Sequence, residues 1–344
     1  MSYSEEDVII TKPELFEDDY IPPNIRARQE QIEEIRLCLL PMTKKRKPIN
    51  VWLHGRPGTG KTTISRFVLK EMEEAGISGV YVNCWRCDSF FSVLEEVLRQ
   101  LRVNFGDERD TRVKAEKFQR FVKDKPFLLV LDEIDLMPSK ERNALLYNLC
   151  FGKVGLICVG YSREALLNLE DRVKSRLAAQ TVAFRPYGVP DLIEILKDRA
   201  LFGLREGSWD MSLLEKIAQL TEGDARSAIQ TLRCAAEFAE REGFERIETR
   251  HVMKGISSSV EMKRAYALKR LTEHHRILFD LVKTSPGIKS TDLWKAYLEK
   301  VAERGLEPIA KRTFCHYTSQ MREQGLIRAE RVKSKGKIYS FWVR

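Results

Sequence analysis

The stretch HGRPGTGKTT, residues 54–63, has the residue types and spacing that hold the phosphates of a nucleotide. It satisfies the pattern G-x-x-x-x-G-K-[ST], in which glycines turn backbone N–H groups toward the phosphates, the lysine reaches the β/γ oxygens and the threonine holds Mg²⁺. An apolar run precedes the loop and an amphipathic segment follows it, as this pattern requires. We therefore predict that ATP or ADP binds here with Mg²⁺. The predicted binding residues of the loop are Gly55, Arg56, Pro57, Gly58, Thr59, Gly60, Lys61, Thr62 and Thr63.

Two acids end a second apolar run, LLVLDEID. Asp132 stands at the carboxyl end of a predicted strand, where open α/β sheets bind their ligands. We expect Asp132 to hold the metal ion through water and Thr62 to bind it, and Glu133 to orient or deprotonate the attacking water. Acids at a strand end also act as helix caps, and this is the alternative interpretation.

The elements around these motifs predict an α/β fold. The runs INVWLHG, GVYVNC, PFLLVLDEID and GLICVGYS are apolar without polar alternation, which indicates a parallel sheet covered on both faces. The segment after the phosphate loop has an apolar helical stripe at Ile64, Phe67, Val68 and Met72. A predicted helical pair is inserted at about 88–124. From about Pro190 the chain becomes all-helical, with glycine stops typical of a small bundle.

Arginines after the sheet resemble the sensing residues of AAA+ ATPases. Arg226, in GDARSAIQTL, is predicted in the first turn of a helix and resembles the second sensor of that superfamily, which reaches a phosphate from the lid. Arg172 and Arg176, in EDRVKSRL, resemble the residues that such proteins present to a neighbour's γ-phosphate. An ordinary surface arginine is the alternative for Arg226, and pairing with Glu170 or Asp171 is the alternative for the other two.

Composition limits the class of protein. The 344 residues are 43% hydrophobic and 32% charged, enough for more than one core and unlike a disordered chain. No apolar run approaches the length of a membrane span, and the acidic N-terminus lacks a signal peptide, so we expect an intracellular protein. The seven scattered cysteines fit reduced thiols. Cys84 and Cys87 form a C-x-x-C, but the second ligand pair of a zinc site is missing.

Positive charge is concentrated at the end of the chain. Residues 262–344 contain 19 Lys and Arg against 8 Asp and Glu, a net charge of +11, whereas the remainder carries 40 basic and 42 acidic residues. A solvated basic face is the alternative, but this asymmetry favours a polyanionic partner. Three predicted helices followed by a hairpin around KSKGK give the order of a winged helix.

Within the third of these helices, Phe314, Tyr317 and Met321 are predicted to face the core, and Ser290 or Thr291 is predicted to cap the second. The opposite faces of the third helix and the hairpin tip are predicted to contact duplex DNA, although a protein-binding winged helix is the alternative. The predicted DNA-contacting residues are Lys311, Arg312, His316, Ser319, Lys333, Lys335 and Lys337.

Taken in order, these motifs resemble the archaeal origin-recognition initiators, relatives of the eukaryotic origin recognition complex and cell-division-control loader. The segment YIPPNIRARQEQIEEI resembles that family's N-terminal box and implies that Arg28 lies near the adenine. The resemblance also implies that the inserted helical pair corresponds to the family's second DNA-contacting element. The resemblance implies binding to origin duplex DNA, assembly with other initiators, recruitment of the MCM helicase and association with the cytoplasmic nucleoid.

One position departs from the family pattern. The first sensor usually ends its strand with an asparagine, whereas the strand here reads CVGYSREAL and places Arg163 at that point. An asparagine accepts a hydrogen bond from the attacking water and an arginine does not, so we expect slow hydrolysis with nucleotide binding preserved.

We therefore predict an ATP-regulated replication initiator with three domains. An AAA+ α/β domain would span residues 1–188, a helical lid 189–259 and a winged helix 260–344. The alternatives are a ring-forming DNA motor of the branch-migration type and a transcription regulator that merely holds nucleotide. The inserted helical pair and Arg163 argue against the motor.

Overall fold

The computed structural model describes residues 8–87, 89–103, 110–123, 125–269, 271–323, 325–332 and 338–343. The chain divides into two compact units, Met1–Ile256 and Ser257–Arg344. Within the described residues, no helix combines the length and the apolar character needed to cross a membrane.

A five-stranded parallel sheet forms the centre of the first unit. Its strands are β1 (Val51–Gly55), β2 (Ser78–Asn83), β3 (Phe127–Asp132), β4 (Val154–Gly160) and β5 (Gln180–Phe184), in the order β2-β3-β4-β1-β5. Every residue of β3 and β4 is buried. The predicted parallel sheet is confirmed. Because β1 and β3 are central and parallel, the phosphate loop and Asp132 emerge at the same edge of the sheet.

Helices cover both faces of this sheet. They are α1 (Gln29–Leu39), α2 (Lys61–Glu74), α3 (Phe90–Gln100), α4 (Thr111–Val122), α5 (Ser139–Leu149), α6 (Glu164–Leu167) and α7 (Asp171–Leu177). Alternate residues of β3 enter different cores: Leu129 belongs to a cluster with α3 to α5, and Leu128 to a cluster with α1 and α2. This period of two is the reason for the unbroken apolar run in the sequence. Helices α3 and α4 lie within residues 88–124, and their identity as a family insertion stays a prediction.

The helical bundle predicted after Pro190 is also present. Its helices are α8 (Val189–Gly203), α9 (Met211–Leu220), α10 (Ala225–Arg241) and α11 (Thr249–Lys269). They share a core that includes Leu196, Ile217 and Leu232, and an N-terminal 3₁₀ turn, Pro13–Phe16, packs into the same cluster. The segment SSSVEMKR, expected as a linker or as the start of a helix, lies inside α11.

The second unit contains three further helices and a small antiparallel sheet. Its elements are the end of α11, α12 (Glu273–Thr284), β6 (Ile288–Lys289), α13 (Ser290–Glu303), α14 (Lys311–Glu323), β7 (Ile327–Arg331) and β8 (Tyr339–Val343), with strand order β6-β8-β7. Phe314 and Met321 of α14 are buried in the core, as predicted, and Tyr317 packs against it.

The predicted cap of α13 was wrong. Strand β6 leads directly into this helix, so Lys289 occupies the N-cap position and makes no side-chain cap, and Ser290 is already helical. The Ser290 hydroxyl instead accepts a hydrogen bond from the Tyr339 backbone N–H at 3.4 Å. Ser290 therefore connects α13 to β8.

Candidate nucleotide-binding and ATPase site

The phosphate loop joins β1 to α2 through two glycines in left-handed conformations. Gly58 has φ 73° and Gly60 has φ 92°, and Gly60 is the N-cap of α2. Successive backbone N–H groups in such conformations form a concavity that binds anions, and the positive end of the helix dipole adds to it. A Cβ atom on Gly58 would lie 1.9 Å from Asp224 Oδ1, so a side chain there would have to displace the Asp224 carboxylate.

Lys61 lies across this loop. Its Nζ donates hydrogen bonds to the carbonyl oxygens of Gly55, at 2.6 Å, and Arg56, at 2.8 Å. Burial lowers the pKa of Lys61 to about 8, opposed by the nearby carboxylates of Asp135 and Asp132. Within the described part of the chain, the ammonium group thus donates to backbone carbonyls, and the phosphates of a nucleotide would stabilise its charge.

Asp132 joins three elements of the site. Its Oδ2 accepts hydrogen bonds from Thr62 Oγ1 at 2.9 Å and from the Tyr81 hydroxyl at 2.7 Å, and its Oδ1 accepts one from the Glu133 N–H at 2.9 Å. The Asp132 residue is only 2% exposed. A carboxylate and a hydroxyl are hard oxygen ligands, and together they fit Mg²⁺, which usually keeps several of its waters.

Glu133 adopts a left-handed conformation with φ 57°, directly after β3. It precedes a short 3₁₀ turn, Ile134–Leu136, which has no side-chain cap within the described chain. The alternative interpretation of Glu133 as a helix cap is therefore wrong. A non-glycine residue in this region of φ/ψ is uncommon and is often found at active sites.

The end of β4 lies against the same loop. Asp135 Oδ2 accepts a hydrogen bond from the Tyr161 N–H at 2.8 Å, and the Tyr161 carbonyl accepts one from the Gly55 N–H at 3.1 Å. Burial, followed by the charges of Arg163 and Lys61, lowers the pKa of His54. Arg163 is exposed, and its assignment to the first-sensor position stays a prediction.

The helical bundle contacts the phosphate loop through the start of α10. The Ala225 N–H donates a hydrogen bond to the Gly58 carbonyl at 3.0 Å, and Asp224 caps the helix through the Ser227 N–H. Arg226 therefore lies in the first helical turn, as predicted. Its Nε lies 3.5 Å from Asp18 Oδ1, and its positive charge contributes to the lowered pKa of Lys61.

Arg28 is buried beside the loop. Its Nε donates to the Thr59 carbonyl at 3.2 Å, its Nη2 donates to the Arg185 carbonyl at 2.6 Å, and its guanidinium lies 3.9 Å from the Tyr187 ring centroid. The structure thus brings Arg28 to the site. A role near the adenine stays a prediction.

Two family models match the chain: an AAA ATPase domain over residues 24–151 and a Cdc6 AAA+ ATPase-type lid domain over residues 193–257. The ORC1-type DNA replication protein 1 of Sulfolobus acidocaldarius is 31% identical, with 96% of this chain and 88% of that protein covered. The ORC1-type protein of Thermococcus onnurineus is 30% identical, with 96% and 86% covered. The chain belongs to the ORC1-type DNA replication proteins.

Solved structures agree with the family. The Aeropyrum pernix ORC1 protein in complex with DNA has a TM-score of 0.75 at 25% identity and covers 99% of this chain and 94% of its own. Cdc6p from Pyrobaculum aerophilum has a TM-score of 0.67 at 23% identity, over 98% and 94%. This ORC1-type protein is accordingly an AAA+ ATPase, and the motif-based assignment is confirmed.

In this ORC1-type protein, the two candidate finger arginines lie exposed on α7. Arg172 Nε donates to Glu170 Oε2 at 2.7 Å, which is the alternative surface pairing. Arg176 Nε donates to the Cys150 carbonyl at 2.9 Å, and its guanidinium lies 4.5 Å from the Tyr147 ring centroid. Both arginines are anchored within the chain, and action on a neighbour's nucleotide stays a prediction.

The predicted DNA-contacting residues are only partly within the described residues. Lys311 and Arg312 are exposed in the first turn of α14, and Ser319 is half-buried two turns later. His316 is a helical residue of the same element. Lys333, Lys335 and Lys337 lie outside the described residues. The described part thus presents two cations at one end of α14.

Tyr81, Asp135 and Asp224 were missed by sequence reasoning. Tyr81 lies within an apolar strand pattern, where a tyrosine is typical and gives no sign of a polar role. Asp135 belongs to the DEID motif and Asp224 to the GDAR motif. Their positions beside Asp132, Glu133 and Arg226 were the sequence signal that they contribute to the site.

Proposed function

We propose that this ORC1-type protein is a replication initiator in which bound ATP or ADP, with Mg²⁺, controls binding to origin duplex DNA. The observation that carries this proposal is the hydrogen bond between the Ala225 N–H and the Gly58 carbonyl, at 3.0 Å. It joins the lid helix to the phosphate loop, so a change at the phosphates alters the support of the lid. Slow hydrolysis would then end the ATP-bound state.

The residues of the site have distinct proposed roles. Lys61 and the loop N–H groups bind the phosphates, while Thr62 and Asp132 hold the metal ion. Glu133 orients or deprotonates the attacking water, and Arg226 contacts the γ-phosphate from α10. When bound, Mg²⁺ would neutralise charge that develops on the transferring phosphoryl group.

Arg163 favours a switch over a motor. It stands where an asparagine would accept a hydrogen bond from the attacking water, and arginine has no acceptor atom. RuvB from Thermotoga maritima shares the fold at a TM-score of 0.51 and 19% identity, which supports the architecture alone. The motor and the nucleotide-holding transcription regulator remain the alternatives that experiment must separate.

Duplex DNA is the proposed partner of the second unit. We propose that residues 260–344 form a winged helix, following an AAA+ domain at 1–188 and a lid at 189–259. The net charge of +11 over residues 262–344 supports a polyanionic partner. The proposed contacts are Lys311, Arg312, His316 and Ser319 on α14 and Lys333, Lys335 and Lys337 beyond it. Helices α3 and α4 are proposed as a second contact.

Protein partners complete the proposal. Other initiator subunits would receive or supply Arg172 or Arg176, and the MCM helicase would be recruited to the complex at the nucleoid. Full ATPase activity would then depend on a neighbouring subunit, because an arginine supplied in trans stabilises the transition-state charge.

Footprinting on genomic DNA, with ATP, with ADP and with the Lys61→Ala variant, tests the function directly. We expect protection at a few discrete sites where replication starts, with a footprint that differs between the two nucleotides. Protection confined to promoters would support the regulator. Hexamers that hydrolyse ATP rapidly on any duplex would support the motor.

A further inference from the structure

The Tyr81 hydroxyl donates a hydrogen bond of 2.7 Å to Asp132 Oδ2. Tyr81 lies in β2, which pairs with β3 so that Asn83 is opposite Asp132 and Tyr81 is opposite Val130. The phenol therefore reaches two residue pairs forward along the sheet to the carboxylate. Thr62 Oγ1 donates to the same oxygen at 2.9 Å, from the first turn of α2.

This arrangement determines where the Thr62 lone pairs point. A hydroxyl has one proton and two lone pairs, and the Thr62 proton is directed at Asp132. The lone pairs of Thr62 Oγ1 therefore remain available to a cation. Because Asp132 Oδ2 receives two donors and Oδ1 receives the Glu133 N–H, the carboxylate is fixed in one orientation.

We propose that Tyr81 is a positioning residue of the Mg²⁺ site, which acts through Asp132 on Thr62 and thereby sets the Mg²⁺ affinity of the nucleotide complex. The proposal rests on the proposed function, since it requires that Mg²⁺ and nucleotide bind at this loop. It adds a residue from β2 to a site assembled from the phosphate loop and β3.

The Tyr81 hydroxyl also interacts with the Asn83 side chain at the end of β2, and the other contacts of Tyr81 do not need the hydroxyl. The Arg66 guanidinium lies 5.3 Å from the Tyr81 ring centroid, and the ring packs against the cluster between the sheet and α2. Gln100 Nε2 donates to the Tyr81 backbone carbonyl at 2.9 Å. A Tyr81→Phe substitution keeps the ring and the backbone and removes the hydroxyl, and with it the bond to Asp132 and the interaction with Asn83.

The test measures Mg²⁺ affinity apart from activity. Fluorescent ATP is bound to the full chain in EDTA, and Mg²⁺ is then titrated into the complex of the wild type, Tyr81→Phe and Tyr297→Phe. The last is a matched control, because the Tyr297 hydroxyl bonds His274 Nδ1 at 2.8 Å within the second unit. For Tyr81→Phe we expect metal-free nucleotide affinity within about twofold and Mg²⁺ half-saturation raised about three- to tenfold.

The outcomes separate this proposal from the proposed function. If the wild type binds nucleotide with Mg²⁺ but Tyr81→Phe has unchanged half-saturation, the positioning role is overturned and the nucleotide site stands. A lower melting temperature in Tyr81→Phe with unchanged half-saturation also overturns it, because a purely structural role predicts that result. If the wild type binds no nucleotide, both proposals fail. A raised half-saturation in Tyr81→Phe and not in Tyr297→Phe supports the proposal.

Discussion

The nucleotide site and the proposed DNA-binding face of α14 use polar residues in opposite ways. Around the phosphate loop, Asp132, Thr59 and Arg28 are buried and each makes hydrogen bonds within the protein. On α14, Lys311 and Arg312 are exposed. Buried polar groups must be paired in one geometry, whereas exposed cations act through screened charge. The nucleotide site thus depends on the exact position of each polar group, whereas the α14 face depends on its density of positive charge.

Lys61→Ala should have the largest effect on ligand binding, because it removes the ammonium group at the centre of the nucleotide site. Loss of its charge-assisted bonds to the phosphates should weaken ATP binding by about 100-fold or more. Isothermal titration of ATP measures this. DNA affinity without nucleotide should stay within about twofold of the wild type. A similar loss of ATP affinity and of nucleotide-free DNA affinity would mean that the nucleotide site and the α14 face do not act separately.

The double variant Lys311→Ala with Arg312→Ala tests the charge-based region. If both side chains contact phosphates, DNA affinity at physiological salt should fall about tenfold for every sequence, and the slope of log K against log salt should fall by about 1.8. Fluorescence anisotropy on two unrelated duplexes checks this. Lys300→Ala is the matched control, since Lys300 pairs with Glu303 at 2.7 Å on α13. A loss confined to one duplex would indicate base contacts instead.

Arg163→Asn should raise the rate of ATP hydrolysis about three- to fivefold, because asparagine supplies the acceptor that arginine lacks. Arg163→Lys keeps the charge, still lacks an acceptor, and should stay near the wild-type rate. The positive charge of Arg163 is one cause of the lowered pKa of His54, so Arg163→Asn should also raise that pKa, as measured by NMR titration. An unchanged rate of ATP hydrolysis together with a raised His54 pKa would mean that Arg163 lies near the phosphate loop but does not influence the attacking water.

Features formed by contiguous residues could be predicted from the sequence. The phosphate loop is contiguous, so its residues, the following helix and the strand before it were all predictable from local pattern. The unbroken apolar run of β3 likewise predicted a buried strand with Asp132 at its end. Arg28 came only from the family resemblance, and the structure brings it to the Thr59 carbonyl.

The contacts that were missed join distant segments. Tyr81 and Asp132 are 51 residues apart and meet because β2 pairs with β3. Asp224 meets the phosphate loop only because the bundle packs there. The Ser290 cap was wrongly predicted because serine is a suitable cap residue in itself. Strand β6 ends at Lys289, however, and this places Lys289 at the N-cap and Ser290 inside the helix. Local propensity does not determine strand register or packing between elements.

The smallest expected effect concerns the acidic segment that reaches the lid. Asp18 Oδ1 lies 3.5 Å from Arg226 Nε, and the two side chains are 52% and 40% exposed. Exposed pairs of this kind contribute little, so Asp18→Asn should strengthen ATP binding relative to ADP by only about twofold, as the charge of Arg226 becomes less neutralised. Competition of the two nucleotides against a fluorescent analogue measures the ratio.

Glu17→Gln is the control for Asp18→Asn, because Glu17 pairs with Arg233 at 3.0 Å from the same segment. It should leave the ratio of ATP to ADP affinity unchanged. The effect of Asp18→Asn should also diminish at high salt, where exposed charges are screened. If Asp18→Asn changes the affinity ratio by well more than twofold and salt does not reduce the change, Arg226 acts through a fixed contact, as the buried residues of the loop do. If Glu17→Gln changes the ratio equally, the segment acts through its overall charge.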